Sequence, residues 1–150
     1  MTDTTSSTSV GKLSLLAIVP AALACLTYEV FLGHRHDYTG HFAAGYGGSL
    51  GAMMLLLKLL PPIRFPRWST MSIGPASMAC ILLGMLAEAT AFRIAKFDEI
   101  DFFNQSIGAV LAGIVACRCA DSPKPNDRAF DIGMIVGIAF LSVGACFAVA

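Results

Sequence analysis

The sequence predicts an all-α integral membrane protein, a bundle of five transmembrane helices with a four-helix core and a C-terminal helix added to it. Three observations predict this. Charged residues make up 13% of the chain and hydrophobic residues 56%, whereas about a quarter of an ordinary soluble domain is charged. Mean hydropathy is +0.72 over 150 residues. The apolar residues fall into successive runs, each close to the roughly 20 residues needed to cross about 30 Å of hydrocarbon. Between the runs stand turn-forming residues, such as Pro61-Pro62 and the Asp121 to Arg128 segment with Pro123 and Pro125. A set of four or five spans with short loops uses up this length and leaves none for a soluble domain.

Residues 1–12 are predicted to be a disordered cytoplasmic tail, because they are Ser/Thr-rich and carry no apolar pattern. Residues 13–150 form a single transmembrane domain. Its first span, 13–33, resembles a secretory signal with Ala22-Leu23-Ala24 as a cleavage site, but the apolar run continues past that point and reads as an uncleaved helix. Glu29 lies near its end, on the face of Ala22 and Cys25, and an acid at that depth is expected to face the bundle interior.

His34-Arg-His-Asp-Tyr-Thr-Gly-His41 precedes the second span, 42–60. At about 100° per residue, Asp37, His41, Ala44, Gly45, Gly48 and Ala52 share one side, and Tyr46, Leu50, Met53 and Leu57 the other. The small, polar side is expected to face protein and the bulky side lipid. Pro61 and Pro62 end this helix, and Arg64, Arg67 and Trp68 suit an interface. The third span, 74–95, places Gly74, Ser77, Gly84 and Glu88 on one face, with Glu88 about 9 Å inside the helix end at 1.5 Å per residue. In the fourth, 101–119, an inner face of Asp98, Asp101, Gln105, Gly108 and Ala112 opposes a lipid face of Phe103, Ile107, Val110 and Ile114. The fifth, 130–149, carries Gly133, Gly137 and Gly144 as a small-residue seam for another helix of the chain or for a second copy.

Seven basic residues near span ends (Lys12, Lys58, Arg64, Arg67, Arg118, Lys124, Arg128) fall on one side and three (Arg35, Arg93, Lys96) on the other. The majority side is expected to be cytoplasmic. The N-terminus is then inside, and the His34 to His41 and Lys96 to Asp101 segments share the outer face. Zero formal net charge and the lack of a basic run exclude nucleic acid as an expected partner. The five cysteines lie in or at the ends of apolar runs and suggest no disulfide framework. No cofactor or metal is expected, since His34-x-His36-Asp37 with His41 is a weak ligand set.

At Glu88, Arg93, Lys96 and Phe97-Asp98-x-x-Asp101-x-x-Asn104-x-x-x-Gly108-Ala-x-x-Ala-Gly113, preceded by His36-Asp37-x-x-Gly40-His41-Phe42-x-x-Gly45, the sequence resembles the VanZ-like family of small bacterial membrane proteins and the YjdF-type inner-membrane proteins. The match runs from Asp37 to Gly113. It departs from the pattern at Phe92, where a glutamine is expected one turn after the family acid, and in having a fifth span. The resemblance implies a multi-pass protein of the bacterial inner membrane, associated in the VanZ case with teicoplanin resistance and so with the outer face of the envelope. It implies no known reaction.

Intramembrane acids usually mark a site. The first functional reading is an outer-face site for a membrane lipid or lipid-linked envelope precursor. Glu88, Asp98, Asp101 and His41 would do acid/base work, and Arg93, Lys96, Asn104, Gln105 and Asp37 would bind the headgroup. A proton-coupled or small-solute pathway along Glu29, Glu88 and Asp101 is the alternative, and a polar cluster that only fixes helix packing is the third reading. Away from Glu88 the third span offers only Ser77 and Ser72, and the fourth becomes apolar beyond Ser106 until Cys117. That asymmetry favours a one-sided site over a channel.

Overall fold

The computed structural model describes residues 4–59, 66–90, 98–120 and 127–149. These form α1 (Thr4–Val30), α2 (His36–Leu59), α3 (Pro66–Thr90), α4 (Glu99–Ala120) and α5 (Asp127–Val149), with no strand among the described residues. Gly11–Val30, His36–Leu59, Glu99–Ala120 and Arg128–Phe147 are long and apolar enough to cross a membrane, while the apolar part of α3, Ile73–Ala87, is shorter. The chain is an all-α membrane bundle.

Every helix begins earlier than hydropathy places it. Hydropathy marks the hydrocarbon segment, whereas a helix also includes a polar first turn. Asp37 stands in the first turn of α2 and Glu99 and Asp101 in that of α4, where acids complement the helix dipole. Pro66 opens α3, a position where its missing N–H costs nothing. In the same way α1 starts at Thr4, since extending an existing helix through Ser and Thr needs no new nucleus. At its other end, Gly33 (φ 78°) and His34 (φ 58°) both turn left-handed. Glycine adopts that geometry freely; histidine does so uncommonly.

The bundle is built around α2, whose most extensive interfaces are with α5 and then α4. Glycine makes both close. A Cβ at Gly45 would fall on the backbone of Gln105, and one at Gly108 on the backbone of Phe42 and Tyr46. Across the other seam, a Cβ at Gly137 would lie 2.7 Å from the Gly51 nitrogen, one at Gly133 2.7 Å from Met54 Cγ, and one at Gly144 2.5 Å from the Ala44 nitrogen. The small-residue seam of the C-terminal helix is therefore filled by α2 of the same chain. That helix packs almost wholly on α2, with a smaller interface to α1, and α1 and α3 meet α2 through small interfaces.

This centrality corrects the face assigned to α2. Tyr46, Leu50 and Met53, expected to meet lipid, are 0%, 0% and 1% exposed, while Asp37 and Ala52 are exposed. A helix packed on several sides has no wide lipid face, so its bulky residues form the core. On α4 the expected division holds within the helix, where Phe103, Ile107, Val110 and Ile114 are exposed and Gly108 and Ala112 buried, but Asp98, placed on the inner face, is exposed just before the helix begins. On α1 the buried stripe is Ala17 and Ala21, leaving Ala22 exposed; on α3 Ile73 is buried and Gly74 exposed.

Candidate functional site

Polar side chains gather at the end of the bundle where α1 turns into α2 and α4 begins. The turn itself does part of the gathering. His34 N–H donates to Glu29 O (3.0 Å) and Arg35 N–H to Tyr28 O (3.4 Å), which folds the segment back over the last turn of α1. Glu29 then meets the start of α2. Thr39 Oγ1 donates to Glu29 Oε1 (2.5 Å), and His36 Nδ1 lies 2.9 Å from Glu29 Oε2, with His34 Nδ1 at 3.9 Å. His36 also stacks on Phe147 at the end of α5, with ring centroids 5.5 Å apart. These contacts tie α1, α2 and α5 together.

A second group lies between α2 and α4. His41 Nε2 stands 3.3 Å from Asp101 Oδ2, with side-chain exposures of 24% and 20%. One turn deeper on α4, Asn104 is 4% exposed and its Oδ1 accepts from Tyr28 Oη at 2.9 Å. The Asn104 Nδ2 has no hydrogen-bond partner among the described residues. Tyr28 packs in turn against Tyr38 (6.1 Å) and Phe42 (5.8 Å).

Arg35 and Asp37 form their own pair, with Nε donating to Oδ1 (3.1 Å) and Nη2 to Oδ2 (2.7 Å). The Arg35 guanidinium sits 3.6 Å from the centre of the Tyr38 ring. The Asp37 carboxylate raises the Arg35 pKa above its already high ordinary value, chiefly through these hydrogen bonds, so the pair stays charged at any physiological pH.

The structure thus brings together His41, Asp101 and Asn104 of the residues expected to form a site, with Glu29 in an adjoining cluster. Asp98 has another task. Its Oδ1 accepts from the Ile100 N–H (2.8 Å) and lies 3.4 Å from the Asp101 nitrogen, the work of a helix N-cap. Gln105 turns to α3, where its amide fills the space a side chain at Gly84 would need. The Glu88 side chain, Arg93 and Lys96 lie outside the described residues. The histidines do not converge on a metal: His34 and His36 turn to Glu29, and His41 to Asp101. Among the described residues no group of three or more His, Cys, Asp or Glu could hold an ion.

Sequence reasoning missed Tyr28 and Thr39. Tyr28 carries a signal, since a tyrosine in an apolar run needs a partner for its hydroxyl, but nothing local names Asn104 as that partner. No protein-family model matches the chain, and comparison with curated proteins and with solved structures finds no match.

Proposed function

We propose that this is a VanZ-like protein of a bacterial cytoplasmic membrane, with its N-terminus inside, that handles the headgroup of a lipid or lipid-linked envelope precursor at the outer interface. His41 and Asp101 are its acid/base pair. The observation that carries this reading is their 3.3 Å approach across α2 and α4, with each side chain about a quarter or less exposed. Such a pair is reached by a headgroup yet shielded enough for its charges to matter. A carboxylate beside an imidazole fixes the orientation of the ring, and acid and base side chains held this close are the geometry that general acid–base chemistry needs. Arg93 and Lys96, close in sequence to Asp101, are assigned to phosphate contact. The surplus of basic residues on the opposite side supports the orientation.

The pathway alternative finds less support. Below this end the α2 and α4 helices bury Tyr46, Leu50, Met53, Ala112 and Val115, and among the described residues no continuous polar chain leads a proton onward. The packing-only reading draws support from Glu29, whose partners Thr39 and His36 knit helices together. Asp101→Asn, His41→Gln and Glu88→Gln separate the two. Each should give folded protein in normal yield but lose the envelope phenotype, read as teicoplanin sensitivity in the native host. Wild-type sensitivity from the folded variants would leave only the packing reading.

A further inference from the structure

We propose that Asn104 is the docking point for an acyl-ester carbonyl, which makes the ligand of this site an ester-linked lipid. This rests on reading the His41 and Asp101 end as a headgroup site. The first observation is an unused donor. Asn104 is 4% exposed, its Oδ1 is taken by Tyr28, and its Nδ2 has no partner among the described residues. A buried amide N–H is normally satisfied, so an orphan needs an explanation.

The second observation is place. Asn104 lies three residues beyond Asp101 on the same side of α4, about 4.5 Å deeper at 1.5 Å per residue. A lipid whose charged head meets His41 and Asp101 carries its ester carbonyls about that much deeper. Those carbonyls are neutral acceptors with no donor of their own. They match a neutral donor that has lost its water, whereas a phosphate there would be a buried charge with a single neutral partner.

The third is approach. Asn104 is hydrogen-bonded to Tyr28 of α1, and α1 meets α4 through a far smaller interface than α2 does. Beside it on α4, Phe103 and Ile107 are exposed apolar side chains along which acyl chains can lie.

The test uses the full chain in mixed micelles, titrated with diacyl phosphatidylglycerol or with its dialkyl ether analogue of equal chain length. Wild type should bind the ester about tenfold more tightly, the usual worth of satisfying a buried polar group. Asn104→Asp keeps an acceptor for Tyr28 but has no N–H, and should bind both lipids alike; Asn104→Leu removes the donor without adding charge and should do the same. If neither variant folds, infrared spectra of wild type with carbonyl-labelled ester should still show a bound ester band shifted to lower frequency. Equal binding of ester and ether by wild type, a preference that survives in a folded Asn104 variant, or an unshifted band would each overturn the assignment and indicate a bridging water instead. His41→Gln and Asp101→Asn should keep the ester preference. If they keep the envelope phenotype as well, the acid/base reading falls while the Asn104 assignment stands.

Discussion

Two of the helices that pack on α2, α5 and α1, are held to it in opposite ways. Against α5 the contact is backbone on backbone, with Gly47, Gly137 and Gly144 letting the helices approach until no side chain would fit between them. Against α1 the contact is small, and side-chain hydrogen bonds hold it: Thr39 to Glu29, His36 to Glu29, and Tyr46 to the Ala17 carbonyl. Within a bilayer apolar surface gives no preference for helix over lipid, so close packing and hydrogen bonds are what remain to join helices. Close packing has one arrangement. Hydrogen bonds can be exchanged for others, and the exchangeable seam is the one beside His41, Asp101 and Asn104.

Gly137→Leu attacks the first seam and should have the largest effect. Its Cβ alone would lie 2.7 Å from the Gly51 nitrogen and 2.9 Å from the Gly47 oxygen. Backbone cannot step aside as a side chain can, so the helices must part. A loss of about 3 kcal/mol is expected, at the upper end for overpacking, read as a lower midpoint of thermal unfolding in detergent. Unchanged stability would mean that α5 does not sit against α2 as described.

Thr39→Val attacks the second seam without changing shape. Thr39 is 2% exposed and donates to the Glu29 carboxylate, a bond to a charged acceptor and so among the stronger kind. About 1.5 kcal/mol should be lost. A cysteine introduced at Ala21, on the buried stripe of α1, should also become more reactive to a membrane-permeant thiol reagent as α1 loosens. If stability fell but labelling did not change, the bond would stabilise α2 rather than hold α1.

The same contrast explains what the sequence revealed. On α4 the division into inner and lipid faces was legible because one side of that helix meets protein. On α2 the same rule put Tyr46, Leu50 and Met53 in lipid, since periodicity tells two faces apart but not whether both are covered. Small residues at Gly45, Gly47, Gly48 and Gly51 encircle much of α2, and that ring, more than any stripe, was the sign of a central helix. The pairing of His41 with Asp101 was legible because hydropathy put both at one end. Tyr28 with Asn104 was not, because it depends on the rotation of α1, which an apolar run does not encode. Asp98 could have been read as a cap from its place directly before the Glu99 helix.

Tyr46→Phe keeps the ring in the core and removes only the bond to the Ala17 carbonyl. That carbonyl lies in the turn before Pro20, whose missing N–H already weakens the helix ladder there. The expected loss is about 1 kcal/mol, smaller than for Thr39→Val because both partners are neutral. A loss above that of Thr39→Val would place the main attachment of α1 at its middle, and not at the Glu29 end beside His41 and Asp101.

The smallest effect tests whether polar contacts matter by closeness or by surroundings. Lys58 Nζ and Asp131 Oδ1 approach to 2.5 Å at the other end of α2, nearer than His41 and Asp101, but their side chains are 39% and 46% exposed against 24% and 20%. If distance governed, Asp131→Asn would cost more than Asp101→Asn. Water and ions screen an exposed pair, and ordering two mobile side chains offsets much of the attraction, so about 0.5 kcal/mol or less is expected. That small loss should shrink further between 50 mM and 500 mM salt, as the Debye length shortens and screening strengthens. The envelope phenotype should be untouched, since nothing at that end touches the proposed headgroup site. A salt-insensitive loss above 1 kcal/mol would show that the Lys58 end is as shielded as the His41 end, and the case for a single polar site at one face would fail with it.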